Sequence, residues 1–183
     1  PFEMTTDGKG QLFAFAGLKD GPLPTHYEPV ESPVRNALYP QQANPSVQIE
    51  QSTLNPIAAS GDPEYPIVAT NYRLTEHYLS GPMSRFDSWL NELQPAMFVE
   101  LSPQLAAERG IEHGDWLVVT SARGSIEGRA MVTPRLRPLQ IQGQVVHQIG
   151  IPIHFGYSGE VTGSSVNELT STTSDPNVSM HEA

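Results

Sequence analysis

Proline governs the first third of this chain. Residues 1–66 hold ten of its seventeen prolines, including Gly-Pro, Glu-Pro, Ser-Pro, Tyr-Pro and Asn-Pro pairs at 21–22, 28–29, 32–33, 39–40 and 44–45. Each proline fixes φ, removes a backbone donor and pushes its predecessor away from helical dihedrals. No helical or strand period runs through the segment. The expected conformation is extended, turn-rich chain wrapped over another surface. Leu12, Phe13, Phe15, Tyr27, Leu38 and Tyr39 supply large apolar groups for docking. Disorder in a piece cut from a longer chain is the competing reading.

The pattern changes from Tyr65. Pro66–Thr70 reads as a strand. Ser84 is placed to cap a short helix with Phe86, Trp89, Leu90 and Leu93 at helical spacing. Phe98–Leu101 is a second strand. Ser102-Pro103 then opens a helix that Gly110 closes, with Leu105, Ala106 and Ile111 facing a core. Trp116–Ser121 and Ser125–Thr133 flank Ala122-Arg123-Gly124 and form a hairpin, with Ile126, Gly128, Ala130 and Val132 on one face. Leu139–Ile141 and Val145–His147 flank a second hairpin turn. Short strands, two short helices and a proline-rich arm favour a small β-barrel with helical insertions.

Bulk properties narrow the function classes. A net charge of −10 over 183 residues argues against nucleic acid or an anionic membrane as partner. Residues 71–183 use only arginine as their base, whose rigid fork suits phosphate and carboxylate. With no cysteine, the segment has no disulfide, Cys-ligated cluster or Cys nucleophile. No Gly-rich phosphate loop is present. Ser158 in Gly156-Tyr157-Ser158-Gly159 does not match a hydrolase elbow. His147 and His154 lack a third ligand at metal spacing. No residue is assigned as catalytic or metal-ligating.

Three segments are candidates for ligand contact. Thr75-Glu76-His77 follows a strand-like run and is backed by Arg73 and Arg85. It reads either as a surface loop or as a loop that hydrogen-bonds a ligand. Gly150–Gly159, GIPIHFGYSG, mixes apolar, aromatic and glycine residues. Phe155 and Tyr157 either wall a flat heterocycle or pack as core aromatics around a tight turn. Asn167 offers a donor and an acceptor to a heterocycle edge, or serves as a turn residue.

In order, Tyr72–His77, Phe98–Glu100, a helix ending Gly110-Ile111, Gly114-Asp115, Ser121–Gly124, GIPIHFGYSG, Asn167–Thr170 and Asp175–Asn177 form a series. The series resembles the C-terminal domain of the large subunit of respiratory formate dehydrogenases, in the dimethyl sulfoxide reductase family. Gly8–Ala14 and Asp20–Pro29 are similar to the segment preceding that domain.

The resemblance implies a mainly β fold: a six-stranded double-psi β-barrel at 66–183, preceded by an extended arm at 1–65. It also implies that Ala183 falls before the last strand is finished, leaving an open edge prone to self-association. The barrel would cover bis(molybdopterin guanine dinucleotide) holding molybdenum or tungsten. Thr75, Glu76 and His77 match a first cofactor-facing loop, His154, Phe155 and Gly156 a second, and Asn167 with Thr170 a third. The metal ligand, catalytic residues and an iron–sulfur cluster belong to other parts of such a subunit, so the segment alone is expected to be inactive. Implied partners are the remaining domains of the large subunit, an iron–sulfur subunit and a membrane subunit. The implied location is periplasmic, at the cytoplasmic membrane. A related enzyme for another substrate, or a stand-alone β-barrel interaction module, are the alternatives.

Overall fold

A computed structural model describes residues 6–9, 17, 26–156, 160–161, 163–175, 177 and 179–180. Its centre is a mixed five-stranded sheet built from β2 (Val68–Tyr72), β3 (Phe98–Leu101), β4 (Trp116–Thr120), β5 (Ser125–Val132) and β8 (Gln148–Pro152). The spatial order is β2-β8-β3-β5-β4. The β2–β8 and β3–β5 pairs are parallel, whereas β3–β8 and β4–β5 are antiparallel. Two small sheets complete the set. One pairs β1 (Gln48–Ile49) with β9 (Thr173–Ser174), and the other pairs β6 (Leu139–Ile141) with β7 (Gln144–Val146). The chain is thus mainly β with short helices. This is the coarser form of the fold expected from sequence.

Alternation sorts the sheet's two faces. Val99, Leu101, Ile126, Ala130, Ile149 and Ile151 point into one apolar core. Helix α2 (Pro103–Arg109) closes over it with Leu105 and Ala106. The Ser102 hydroxyl caps α2 by accepting from the Leu105 amide, Pro103 opens it, and Gly110 ends it at φ 65°. Beyond β8, Phe155, Val161, Val166 and Leu169 join the same core.

The opposite face holds a buried charge. Glu100 is fully buried, and its carboxylate accepts two bonds from the Arg135 guanidinium, at 2.8 and 2.6 Å. The Tyr72 hydroxyl donates to the same group at 2.8 Å. Register explains this reach: Gly150 lies between Thr70 on one side and Glu100 on the other. A Cβ at Gly150 would come within 2.6 Å of the Tyr72 ring. Glycine there lets Tyr72 cross the central strand. Burial first, then the Glu100 carboxylate, pushes the Tyr72 phenol well above its ordinary pKa.

The described part of the proline-rich segment is bonded to this body. Arg123 forks onto the Glu31 carboxylate at 2.9 and 2.6 Å. It also donates to the carbonyls of Pro56 and Leu169. Asn55 donates to the Thr172 carbonyl and accepts from the Thr172 amide. A cavity of about 870 Å³ opens between this segment and the sheet, and both edge strands, β2 and β4, line it. Among the described residues, no helix is long and apolar enough to cross a membrane.

Two local expectations need correction. The strand expected at 66–70 lies at Val68–Tyr72, where the parallel ladder with β8 supplies its partners. Ser84 does not cap the first helix: it begins a 3-10 turn at Ser84–Phe86. Helix α1 (Ser88–Leu93) is capped by Asp87, whose carboxylate accepts from the Trp89 and Leu90 amides.

Candidate functional site

The parallel pairing of β2 and β8 positions the site. Tyr72 and Pro152 are register partners at the C-terminal ends of the two strands, so the segments that follow both leave on the same side. The Ile153 amide bonds the Tyr72 carbonyl at 3.1 Å and extends the ladder by one residue. The Leu74 amide then donates to His154 Nε2 at 2.6 Å. This bond settles a tautomer: Nε2 is the acceptor, so the His154 proton sits on Nδ1.

His77 is carried back over His154, with ring centroids 5.3 Å apart. The Ser84 hydroxyl holds this loop shut. It accepts from the Tyr78 amide at 2.9 Å and lies 3.2 Å from His77 Nδ1. Gly81, at φ 95°, lets the loop close onto His154; a Cβ would sit 3.2 Å from the His154 Cβ.

Both imidazoles titrate below the ordinary histidine range. For His77 the causes are burial, then the Arg85 charge; Glu76 and the Gln94 backbone pull the other way. For His154 they are burial, then His77, with Arg85 and Arg73 adding to it against the Ser80 backbone. A neutral histidine pair beside two guanidinium groups forms a hydrogen-bonding, locally electropositive corner on an acidic chain.

The second loop abuts the third. Gly156 stands at φ 100°, and a Cβ there would come within 2.5–2.7 Å of Ser165. Ser165 opens a 3-10 turn at Val166–Glu168 with a reciprocal capping box to Glu168. Within it Asn167 is exposed, and its carbonyl accepts from the Thr170 amide and hydroxyl, at 3.3 and 3.2 Å. Gly124 packs against the Glu168 carbonyl, so the β4–β5 turn supports the same segment.

The structure therefore gathers the expected residues into two neighbouring groups. His77 meets His154 directly, and Gly156 leads through Ser165 to Asn167 and Thr170. Thr75 is exposed and Glu76 half-buried. Phe155 is buried among Met97, Val161 and their neighbours, as a core aromatic. Tyr157, Ser158 and Gly159 lie outside the described residues. Sequence reasoning missed Ser84 as the lock on His77. It also missed Asn91, which donates to the Arg85 carbonyl at 2.6 Å and to Glu160 at 3.0 Å. No local motif marks either one. Among the described residues no group of three or more His, Asp and Glu could hold a metal ion.

Residues 67–183 match the family model of the molybdopterin dinucleotide binding domain. The chain belongs to this family. Along its whole length it is similar to formate dehydrogenase 2 subunit alpha (cytochrome c-553) of Nitratidesulfovibrio vulgaris, at 41% identity over 184 residues. It is 43% identical over 187 residues to the nitrate-inducible formate dehydrogenase major subunit of Escherichia coli, covering 97% of this chain. The formate dehydrogenase major subunit of Haemophilus influenzae is 45% identical over 177 residues, covering 93% of this chain. The chain spans only 17–18% of the length of these relatives. Among solved structures, acetylene hydratase from Pelobacter acetylenicus superposes with a TM-score of 0.50 at 19% identity, over 66% of this chain and 18% of the other. That likeness supports the fold alone.

The residues present fit the dinucleotide that gives the molybdopterin dinucleotide binding domain its name. Hydroxyl, amide, imidazole and guanidinium groups suit pterin edges and phosphates. Gly81 and Gly156 keep side chains out of places where two loops meet. The cysteine-free chain has no thiolate to offer a metal.

Proposed function

We propose that this segment covers bis(molybdopterin guanine dinucleotide), holding molybdenum or tungsten, in the large subunit of a formate dehydrogenase, and that 66–183 forms a double-psi β-barrel. The similarity to formate dehydrogenase large subunits along the whole chain carries this reading. The convergence of two loops at the ends of parallel β2 and β8 supports it, because it brings the hydrogen-bonding side chains of both loops to one place.

In this reading Thr75, Glu76 and His77 form the first contact loop, His154, Phe155 and Gly156 the second, and Asn167 with Thr170 the third. Phe155 acts through the core by fixing the backbone between His154 and Gly156. The neutral histidines donate or accept at pterin edges, and Arg73 and Arg85 balance phosphate charge. When bound, the cofactor supplies the two-electron chemistry that oxidises formate to carbon dioxide; this chain binds and orients it. Other domains of the large subunit bring the metal ligand, the catalytic groups and an iron–sulfur cluster. Electrons then pass through an iron–sulfur subunit and a membrane subunit toward quinone, on the periplasmic side of the cytoplasmic membrane.

The test is a His77→Ala/Asn167→Ala double substitution in the full large subunit, purified with its partners. Loss of pterin and metal together with formate oxidation is expected. Full metal occupancy and activity would refute these contact residues. Offering both a quinone analogue and a c-type cytochrome to the unmodified complex tests the acceptor.

A further inference from the structure

Helix α1 is amphipathic in the inverted sense. Its buried residue is Asn91, 3% exposed, whereas Trp89 and Leu93 are 82% and 68% exposed. The 3-10 turn before it repeats the arrangement: Ser84 and Arg85 are buried, while Phe86 is 85% exposed and neighbouring Met83 is 67% exposed. A surface helix ordinarily packs its apolar face and wets its polar one. Extended Asp87 separates the turn from the helix, yet Met83, Phe86 and Trp89 line one open surface hollow, and Leu93 follows Trp89 by one helical turn. A contiguous patch of this kind marks an interaction surface.

The polar inner side is tied to both loops of the candidate site. Asn91 bridges the Arg85 carbonyl to the Glu160 carboxylate, and the Ser88 hydroxyl donates to the same carboxylate at 3.2 Å. Ser84, one turn earlier, holds the His77 loop. Glu160 follows the His154 loop in sequence. The patch is therefore the outer surface of an element whose inner surface grips the chain on both sides of the site.

Resting on the function proposed above, we infer that the Met83, Phe86, Trp89 and Leu93 face docks against the remaining polypeptide of the same large subunit. Two observations select that occupant. Most of each relative's length lies outside the region this chain matches. The patch also adjoins the His77 loop, where the cofactor would be shared with the other domains. Asp87, Glu92 and Glu160 make its surroundings acidic, on a chain of net charge −10, which disfavours an anionic lipid surface.

The test uses the intact complex carrying Trp89→p-benzoylphenylalanine, irradiated and mapped by mass spectrometry. The expected adduct lies on the large subunit itself, upstream of the region matched here. An adduct on another subunit, on a second copy or on lipid, or no adduct, overturns the inference. If the variant does not accumulate, hydroxyl-radical labelling of the unmodified complex replaces it. Phe86 and Trp89 are then expected to label severalfold more slowly than in the unfolded chain, both in the complex and in the large subunit separated from its partner subunits; protection lost on separation, or equal labelling throughout, overturns the inference. Pterin content of the same sample separates the two proposals. Cofactor present with the adduct elsewhere removes only the docking surface; cofactor absent with the expected adduct removes only the cofactor reading.

Discussion

The Leu74 amide donates to His154 Nε2 at 2.6 Å, joining residues 80 positions apart at the ends of two parallel strands. Protonation of His154 turns that acceptor into a donor and breaks the bond. Both His77 and His154 have pKa values lowered from 6.5, mainly by burial. The unfolded chain therefore binds more protons than the folded one below about pH 6.5, and stability falls as pH drops from there through the lowered folded values. Amide exchange at Leu74 is expected to accelerate across that acidic window, ahead of exchange in β3. Unchanged protection of Leu74 down to the global acid transition would contradict the assignment.

Gly156→Ala forces a side chain into a backbone at positive φ, against Ser165. Strain and displacement of this kind cost about 1–3 kcal/mol. On the proposed function, a large subunit carrying the variant is expected to melt lower and to lose pterin more readily on dilution. A variant with unchanged melting and pterin retention would show that the two loops do not need their close approach.

Glu100 and Arg135 give an ordered pair of outcomes. Glu100→Gln keeps a partner for Tyr72 and frees Arg135 into solvent, so its expected cost is about 1–3 kcal/mol. Arg135→Ala leaves a fully buried carboxylate held by Tyr72 alone and is expected to destabilise more. Urea midpoints of the two variants check the order, and a reversed order contradicts the burial argument.

Arg123 clamps the proline-rich segment through Glu31, Pro56 and Leu169 at once. Arg123→Lys keeps the charge but not the fork. Faster proteolysis within 26–66, with β4–β5 still protected, is the expected result. Equal digestion of variant and parent would mean that the other contacts hold the segment unaided.

Local chemistry made parts of this fold readable. Ser102, Pro103 and Gly110 each perform their expected task in α2, because caps are decided within one turn of chain. The β4–β5 hairpin declares itself by alternation, and the β6–β7 turn by Gln142-Gly143, both at positive φ, although β7 runs over Gln144–Val146 rather than the expected 145–147. What failed depended on distant partners. β2 begins two residues late because its ladder with β8 sets its limits. The helical spacing of Phe86, Trp89 and Leu93 was visible, but not that the face points outward. Reading Phe98–Leu101 as a strand did not reveal Glu100 as a buried carboxylate, because its partners, Tyr72 and Arg135, lie 28 and 35 residues away. The order of the candidate loops was legible only through resemblance, since no spacing rule brings His77 onto His154.

The most direct measurement is the molybdenum, tungsten and guanine nucleotide content of the native polypeptide carrying this sequence, purified from its source. About one metal atom and two guanine nucleotides per chain are expected for a bis-dinucleotide cofactor. A folded native polypeptide with neither metal nor pterin nucleotide would contradict the cofactor-covering role.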